Sequence, residues 1–341
     1  MAKSSPEPEK LRVGVIGGGF IGKTVGSGFM RDRRSTVVAI ADVSEAALRE
    51  AGEELYVGHG SRDEDYETML EEEDVDAVLV GTPHAFHYEQ VTEALDRDLH
   101  VLCDKPLTVD REQARELVER SESGDEVLMV GYQRHLNPAF VQARERWADG
   151  DRTPTFVTAE ITQNWIDRFE GTWRANPDLS GGGNLYDTGS HLLDGVLWTT
   201  GLTPTAVRAD MEFADEDQRV DVEALLNVEF EEGARASVSV YSDAPCVREH
   251  VHAWDDEGAI YLEGRQWEPR QLTKIEEDST DVVPYIRGDH EDTKAETFVD
   301  CVRQGKTPPA TARDAFAVTA LTEAAYESAR SGERVSVDVD V

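Results

Sequence analysis

Side chains capable of chemistry are concentrated in four short segments of this sequence. Three of them directly follow apolar runs, and they are residues 81–87 (GTPHAFH), 104–106 (DKP) and 131–135 (GYQRH). The fourth, residues 180–191, is the densest. Its glycines predict a flexible lead-in that faces a substrate, and Asp187 and His191 share one face if the segment is helical. Because histidine titrates near neutral pH, these segments offer groups suited to proton transfer.

A glycine-rich segment near the N-terminus has the spacing of a phosphate-binding loop. Gly17, Gly19 and Gly22 fit G-x-G-x-x-G, between an apolar run and a segment with helical spacing. In such loops the first glycine allows a tight turn, the second admits a pyrophosphate and the third allows close packing of helix and strand. Phe20 and Ile21 open the helix, whose free N–H groups face the phosphates. The loop predicts a dinucleotide site.

An acidic residue follows about twenty positions later, at the end of the second apolar run. Asp42 stands where a carboxylate accepts hydrogen bonds from the ribose hydroxyls and repels a 2′-phosphate. Arg or Lys directly after it would favour NADP, but Val43 and Ser44 carry no charge. We therefore expect NAD, with NADP as the alternative. A second interpretation, that Asp42 is one of many surface acids, stays open.

The elements that must position these residues alternate in the first part of the chain. Apolar, β-branched runs that predict strands cover residues 11–16, 36–41, 75–80, 100–103 and 127–130. Segments that predict helices cover 20–30, 88–95 and 111–121, and a further helix starts at Ser44. This alternation predicts an α/β Rossmann domain over residues 1–131, with a doubly wound parallel sheet. Ligands of such a sheet bind at the carboxyl ends of its strands.

Past about residue 150 the pattern becomes rich in strands. Strands are predicted at 155–162, 206–213, 222–230, 234–241, 248–254 and 259–262, helices at 292–304 and 312–329, and a last strand within 335–339. Residues 132–341 are thus expected to form an α+β domain for substrate binding and oligomerisation. Its sheet is expected to be open-faced and mostly antiparallel, and its C-terminal helices could pack back on the first domain. Because an open sheet needs a cover, we expect a homodimer or homotetramer.

The charge of the chain excludes several kinds of partner. Asp and Glu total 70 against 34 Lys and Arg, a net charge of -36. This surface disfavours nucleic acid and anionic membranes. Only seven residues are lysine, and an acidic, lysine-poor but foldable chain is typical of adaptation to high salt. We expect a halophilic source.

The location and the metal content follow from what the sequence lacks. No apolar stretch of about 20 residues and no apolar signal core occur, which favours the cytoplasm. Cys103, Cys246 and Cys301 lie far apart without a C-x-x-C pair, so reduced thiols and no zinc site are expected. Asp187 and His191 lack a convincing third ligand, so no metal is expected at that segment either.

The order of the motifs resembles the glucose–fructose oxidoreductase / inositol dehydrogenase / MocA family over nearly the whole chain. The motifs are the glycine fingerprint, T-P-x-x-x-H at Thr82, Pro83 and His87, D-K-P at 104–106, G-G-G-x-x-x-D-x-G-x-H at 181–191, and a C-terminal stretch within 298–335 that contains G-K-x-P at 305–308. Two residues depart from the family. Asp104 replaces the usual Glu, which affects the cofactor contact, and His84 replaces the usual Asn.

The resemblance implies an NAD(P)-dependent enzyme that transfers hydride between a secondary hydroxyl of a sugar or polyol and the nicotinamide. It implies that Lys105 and His191 are the catalytic pair, with Asp187 binding a substrate hydroxyl or orienting His191, and a cis peptide before Pro106. Histidine suits the base, and lysine stabilises a developing alkoxide. The expected cofactor residues are Gly17, Gly19, Phe20, Ile21, Gly22, Asp42, Thr82, Pro83, His87, Asp104, Lys105 and Gln133. The expected substrate residues are Lys105, Tyr132, Arg134, Trp173, Arg174, Asp187 and His191.

Two other functions stay open at this stage. Some members of the family oxidise and re-reduce a sugar on bound NAD to cleave a glycosidic bond or eliminate a group. A non-catalytic NAD-binding sensor is the other alternative, although it would be expected to lose the lysine and histidine that this chain retains.

Overall fold

A computed structural model of the chain describes residues 9–286 and 293–341. Its first sheet has the order β3-β2-β1-β4-β5-β6, and every neighbouring pair is parallel. The strands are β1 (Leu11–Ile16), β2 (Ser35–Ala41), β3 (Arg62–Asp63), β4 (Ala77–Val80), β5 (His100–Cys103) and β6 (Leu128–Val130). The expected doubly wound parallel sheet is confirmed. Its central strands are apolar runs because helices cover both faces.

Five helices connect the strands of this sheet. They are α1 (Phe20–Arg31), α2 (Glu45–Glu54), α3 (Tyr66–Glu72), α4 (His87–Leu95) and α5 (Arg111–Ser123). The Ser44 hydroxyl accepts a hydrogen bond from the Ala47 N–H, as expected of an N-cap. Sequence analysis missed α3, which buries only Met69 and Leu70 and has too short an apolar stripe to be recognised.

The polypeptide that leads to the second sheet contains short helices that the sequence analysis did not predict. They are α6 (Pro138–Arg144), α7 (Trp165–Phe169) and α8 (Pro177–Ser180), and α7 and α8 follow strand β7 (Phe156–Asn164). A π-helical turn, Leu185–Gly189, then runs directly into α9 (Ser190–Thr200). The π-helical turn holds Asp187, and α9 holds His191. The π-helical turn and α9 are almost entirely buried, whereas α7 and α8 bury only Trp165 and Ser180.

The second sheet of the described residues has the order β14-β13-β12-β11-β7-β10-β9-β8-β15. Its remaining strands are β8 (Pro204–Phe213), β9 (Asp221–Phe230), β10 (Arg235–Tyr241), β11 (Asp243–Asp255), β12 (Gly258–Arg265), β13 (Gln271–Glu276), β14 (Asp281–Val282) and β15 (Val335–Ser336). The pairs are antiparallel apart from β7 and β10, so the expected mostly antiparallel sheet is confirmed. One face packs on helices, while Phe156, Leu225, Tyr241 and Trp254 are exposed on the strands.

Two C-terminal helices, α10 (Lys294–Gln304) and α11 (Ala312–Ser331), join the two sheets. The rings of Phe298 in α10 and Phe29 in α1 meet edge to face at 5.9 Å. Helix α11 packs on β8, α9 and α5. The helix predicted at 292–304 begins at Lys294 after a capping box on Thr293, and position 292 lies outside the described residues. Within 9–286 and 293–341, no helix has the length and apolar character needed to cross a bilayer.

Candidate active site

The glycine loop joins β1 to α1, and two of its glycines are required by geometry. Gly17 has φ +97°, and a Cβ there would lie 2.8 Å from the Gly81 carbonyl carbon. A Cβ on Gly22 would lie 2.0 Å from the Gly17 oxygen. Gly19 has no atom within 4 Å of its Cβ position, so the backbone there is open to a ligand.

The start of α1 fits the phosphates of a dinucleotide. Its N-cap, Gly19, offers no side chain to the first N–H groups, and no acidic residue stands in the first turn. These N–H groups are therefore left for an anion. Phe20 is 74% exposed beside them, whereas Ile21 packs against the position that a side chain on Gly81 would take. The loop has the shape and the donors that an NAD-type pyrophosphate needs.

Asp42 is fixed at the end of β2 by the backbone. Its Oδ2 accepts a hydrogen bond from the Gly18 N–H and its Oδ1 one from the Ser44 N–H, both at 2.8 Å. Arg62, on neighbouring β3, points away, since its Nε and Nη2 donate to the Val57 carbonyl at 2.9 and 2.5 Å. The carboxylate thus stands beside the glycine loop without a basic partner from β3.

The ends of β4 and β5 are joined by a buried histidine. The His87 ring nitrogens lie 2.8 Å from the Pro106 carbonyl and 2.9 Å from the Thr82 carbonyl, and the side chain is fully buried. His87 is therefore a brace between the two strand ends, and its expected contact with the cofactor is not supported. The Thr82 hydroxyl donates to Gln90 Oε1 at 2.6 Å, and Pro83 is the N-cap of the following 3₁₀ turn. Both stay at the strand end, as expected.

Lys105 comes from the end of β5 and reaches the π-helical turn. The Lys105–Pro106 peptide is cis, as the family resemblance implied. The ammonium Nζ donates to the Asp187 carbonyl oxygen at 2.6 Å and to Asp187 Oδ1 at 3.1 Å, and the residue is 7% exposed. A buried ammonium is held in this way only when charge and hydrogen bonds compensate the loss of water.

Asp187 gathers donors from three elements. Besides Lys105, Trp165 Nε1 donates to its Oδ2 at 2.9 Å, and Arg174 Nε lies 3.3 Å from the same oxygen. Burial by itself would raise the pKa of Asp187, but Lys105 and Arg174 hold it below its usual range. The carboxylate therefore orients Lys105. The expectation that Asp187 orients His191 is not supported at Nδ1, which has no hydrogen-bond partner among residues 9–286 and 293–341.

His191 is a neutral base in this environment. Burial and then the nearby cations, first Lys105 and Arg134, lower its pKa well below the usual value. Its ring lies 6.3 Å from the Tyr132 ring, edge to face, and 5.9 Å from the Trp267 ring. A neutral imidazole with a free nitrogen can accept a proton from a hydroxyl group.

The five other predicted pocket residues differ in position. Tyr132 is fully buried, so its expected place in the pocket wall is wrong; it packs against His135 and His191. Trp173 packs edge to face on His84 at 4.8 Å, and Arg174 lies over the Trp173 ring. Gln133 and Arg134 do line a cleft, of about 260 Å³.

Sequence reasoning missed the opposite wall of this cleft. It is formed by Trp267, Arg270, Thr293 and Lys294, with Glu268 and Pro269 beside them. These residues follow β12 or stand at the start of α10, far in sequence from every motif, and no local pattern marks them. The rarity of lysine is the one signal that could have drawn attention to Lys294, whose Nζ lies 3.2 Å from Asp104 Oδ1.

The glycine run before the π-helical turn is packed, not flexible as expected. A Cβ on Gly182 would lie 2.3 Å from the Tyr326 hydroxyl, and one on Gly183 would lie 2.1 Å from the Asp221 carbonyl oxygen. Asp221, which sequence analysis also missed, accepts hydrogen bonds from the N–H groups of Gly183 at 3.1 Å and Leu185 at 2.9 Å. The glycines are thus needed for close approach, and Asp221 ties down the turn that carries Asp187.

The glycine loop, its helix and the Lys105–Asp187–His191 group define a Rossmann-type nucleotide-dependent oxidoreductase. Comparison with protein families agrees over both parts of the chain. Residues 11–132 match the NAD-binding Rossmann fold of the Gfo/Idh/MocA oxidoreductases, and residues 140–261 match the C-terminal domain of the same family. The chain belongs to the Gfo/Idh/MocA family of NAD(P)-dependent oxidoreductases.

Characterised relatives align over most of the chain. A D-xylose 1-dehydrogenase (NADP⁺) of Haloarcula marismortui is 26% identical over 90% of this chain and 87% of its own. A scyllo-inositol 2-dehydrogenase (NAD⁺) of Bacillus subtilis is 25% identical over 89% of both chains. The solved structure of an aldose-aldose oxidoreductase from Caulobacter crescentus, complexed with glycerol, superposes with a TM-score of 0.83 at 21% identity and covers 96% of this chain and all of that one.

Proposed function

We propose that the protein is a dehydrogenase that oxidises a secondary hydroxyl of a sugar or polyol and prefers NAD to NADP. The observation that carries this proposal is that Lys105 is held by Asp187 while the buried Nδ1 of His191 has no hydrogen-bond partner in the part of the chain that the structure describes. The names of the relatives, a xylose and an inositol dehydrogenase, support the class of substrate.

Each of the three residues has a separate part in the reaction. His191 accepts the hydroxyl proton, because its neutral state is favoured by burial. Lys105 donates a hydrogen bond to the same oxygen and stabilises the alkoxide as it forms. Asp187 keeps the ammonium of Lys105 in place at 3.1 Å and stays ionised. When bound, the nicotinamide supplies the acceptor for the hydride that leaves the carbon atom.

The cofactor preference rests on the charge around Asp42. The carboxylate is held by two backbone N–H groups, Val43 and Ser44 add no positive charge, and Arg62 points toward the Val57 carbonyl. A 2′-phosphate would meet a fixed negative charge there without a compensating base from β3. Thr82, Pro83, Asp104 and Gln133 complete the proposed cofactor side, and Asp104 acts there together with Lys294.

The quaternary structure and the habitat are also proposals. The exposed aromatic and aliphatic residues of the second sheet support a homodimer or homotetramer that covers this face. The proposed domain boundary lies between residues 131 and 132. Light scattering in molar salt would measure the number of chains, and a single chain would contradict the proposal.

The net charge of -36 and the scarcity of lysine support a halophilic source. The absence of disulfides among the three cysteines supports the cytoplasm.

The test of this function is a substrate panel in molar salt. The protein is incubated with NAD, and separately with NADP, against aldoses, inositols, sugar acids and sugar phosphates, and reduced nicotinamide is followed by absorbance. We expect sustained reduction with one class of sugar and a lower KM for NAD than for NADP. A lower KM for NADP would remove the role given to Asp42. Silence across the panel while NAD still binds would favour redox-neutral glycoside cleavage or a sensor.

A further inference from the structure

Three cations, Arg134, Arg270 and Lys294, line the cleft in which Trp267 faces His191. Arg134 and Arg270 both reach the carboxylate of Glu249, with Arg134 Nη2 at 2.6 Å and Arg270 Nε at 2.8 Å. The side chains of Arg134, Arg270 and Glu249 are 3%, 4% and 1% exposed, respectively. This cluster, Arg134–Glu249–Arg270, carries one positive charge more than it has carboxylates.

A second cluster, whose Lys105 also acts electrostatically on His191, has the same imbalance. Lys105 lies 3.1 Å and Arg174 lies 3.3 Å from the carboxylate of Asp187. Both Lys105 and Asp187 are buried. The cluster Lys105–Asp187–Arg174 therefore also carries one excess positive charge.

The remaining charged groups around the cleft are balanced within the described residues. Lys294 pairs with Asp104 at 3.2 Å, His135 pairs with Asp194 at 2.7 Å, and Glu268 pairs with Arg265 at 3.0 Å. Around the cleft itself, the cations Arg134, Arg270 and Lys294 are paired with the carboxylates of Glu249 and Asp104, an excess of one positive charge, and Glu268 is paired with Arg265. Uncompensated buried charge is costly, and an anionic ligand would relieve that cost.

We propose that the substrate is an anionic sugar derivative, whose carboxylate or phosphate binds among Arg134, Arg270 and Lys294 while its hydroxyl faces His191 and Lys105. This inference rests on the proposed dehydrogenase function and narrows its substrate class. The ammonium of Lys294 is the most accessible of these cations, with 17% of its side chain exposed. It is therefore the residue that meets the anionic group first.

Trp267 provides the apolar surface that a sugar ring needs in the same cleft. The side chain is 46% exposed, its ring lies 5.9 Å from the His191 ring, and the Arg134 guanidinium lies 5.8 Å from its centre. The face of an aromatic ring is electron-rich and attracts the weakly positive C–H groups on one side of a sugar. The ring thus holds the sugar between the proton acceptor and the cations.

The rest of the molecule makes this local charge informative. The whole chain has a net charge of -36, so a positive cleft runs against the overall field and is not a by-product of composition. Molar salt screens the distant acids over about 3 Å, whereas the buried cations in contact with a ligand stay unscreened. An anion can therefore bind the cleft in the solution conditions that suit the protein.

The experiment compares each anionic sugar with its neutral parent at constant ionic strength. D-Glucuronate, D-gluconate and D-glucose 6-phosphate are measured against D-glucose, and scyllo- and myo-inositol are included as neutral polyols. We expect at least one anionic sugar to exceed its parent in kcat/KM by about 10-fold or more, as for a hydrogen bond to a charged group. The acid and phosphate arms identify which anionic group is recognised. Equal or better turnover of the neutral parents would overturn the inference and leave the dehydrogenase function standing.

Calorimetric titration of the NADH-loaded protein with each sugar distinguishes failure of the inferred substrate class from failure of the proposed dehydrogenase function. If no sugar in the panel is turned over, the proposed function fails, and the inference then depends on binding alone. Tighter binding of an anionic sugar than of D-glucose by about 10-fold would support it. Equal binding, or none, would overturn it.

The variant Lys294→Gln tests the cation that is easiest to change. Glutamine can still donate a hydrogen bond to Asp104, so the fold should tolerate it, and equal melting temperatures of variant and parent check this. We expect the ratio of kcat/KM for the anionic sugar to that for its parent to fall about 10- to 100-fold. Lys306→Gln, at an exposed position after α10, removes the same charge and should not alter the ratio. An unchanged ratio in Lys294→Gln would contradict the role of Lys294. An equal fall in both variants would show that the ratio depends on the overall surface charge and not on Lys294, which would also contradict that role.

Discussion

Different contacts set the position of the Lys105 ammonium, which Asp187 binds, and the neutral state of the His191 imidazole. Lys105 is bound to Asp187 through two oxygen atoms, so its ammonium has a fixed direction. Among the described residues no carboxylate contacts His191 at Nδ1, and burial together with the cations around the ring keeps the imidazole neutral. Proton acceptor and hydrogen-bond donor are therefore held by separate contacts.

Replacement of His191 or Lys105 should slow the reaction and leave NAD binding nearly unchanged. In His191→Asn and Lys105→Met we expect kcat to fall by about 10²- to 10⁴-fold, the usual contribution of a general base or a positioned donor. NAD affinity, measured by fluorescence titration, should change little, since the glycine loop is untouched. His59→Asn, at an exposed position before β3, is the matched control. Unchanged turnover in either active-site variant would remove that residue from the mechanism.

The pH dependence of kcat/KM in the parent enzyme should reflect the lowered pKa of His191. Because its pKa is lowered, the imidazole stays neutral and able to accept a proton below pH 6.5. We expect kcat/KM to be retained as the pH falls through that value and to decline only at lower pH, in a profile measured over pH 4–9. A decline centred at or above pH 6.5 would show that His191 is not shielded as described.

At the scale of the elements, the π-helical turn is held by one carboxylate from the second sheet. Asp221, at the start of β9, accepts hydrogen bonds from Gly183 and Leu185, and the Tyr326 hydroxyl of α11 donates to it. Burial raises the pKa of Asp221 to about 6, in spite of these hydrogen bonds, which lower it. A sheet and a helix thus meet at the turn that carries Asp187.

Asp221→Asn should therefore loosen the turn. The amide would set a donor against one of the two N–H groups, and we expect the free energy of unfolding to fall by about 1–3 kcal/mol. Kcat should fall more than NAD affinity, because Asp187 moves and the glycine loop does not. Tyr326→Phe, which loses one hydrogen bond and keeps the ring packing, should have the smaller effect. Equal kcat in Asp221→Asn and the parent would contradict this positioning role.

The raised pKa of Asp221 also sets the sign of a pH effect on this variant. A carboxyl with a folded pKa above its unfolded value of 3.8 contributes stability that is present at low pH and is lost as the pH rises through about 6. The parent loses this contribution as the pH rises from about 4 to about 6, whereas the asparagine does not titrate. The stability deficit of Asp221→Asn should shrink over that range in chemical denaturation. A deficit that is constant or grows with pH would contradict it.

The whole molecule carries a charge that a compact chain tolerates only when it is screened. With 70 acidic against 34 basic residues, self-repulsion opposes folding at low salt. The ion pairs among exposed residues relieve it locally, as Arg313–Glu122 and Arg334–Glu229 do, but such pairs are weak and leave most acids unpaired.

The melting temperature should accordingly rise with salt. Between 0.1 and 1 M NaCl the screening length falls from about 10 to about 3 Å, so repulsion between surface acids is largely removed. We expect a clear upward shift by calorimetry over that range. Sucrose stabilises by exclusion and not by screening, and it provides the control. A melting temperature that is flat in salt would end the proposal of halophilic adaptation.

Several features of this protein were determined by the sequence alone, because they depend on local rules. The glycine loop needs particular residues at fixed spacing, and the alternation of strands and helices follows from hydrophobic periodicity, so both were predicted close to their observed bounds. Lys105, Asp187 and His191 were found through short motifs. The resemblance to a family assigned their roles.

Tertiary structure decided the features that join distant parts of the chain. The contacts of Asp187 with Lys105 span 82 residues, and those of Arg134 with Glu249 span 115. Only folding places the brace of His87, the anchor of Asp221 or the cleft wall of Trp267 and Lys294, since each depends on a partner from another element. Tyr132 and the glycines at 181–183 were misjudged for the same reason. A side chain's burial is set by what packs against it, and its neighbours in sequence do not reveal that.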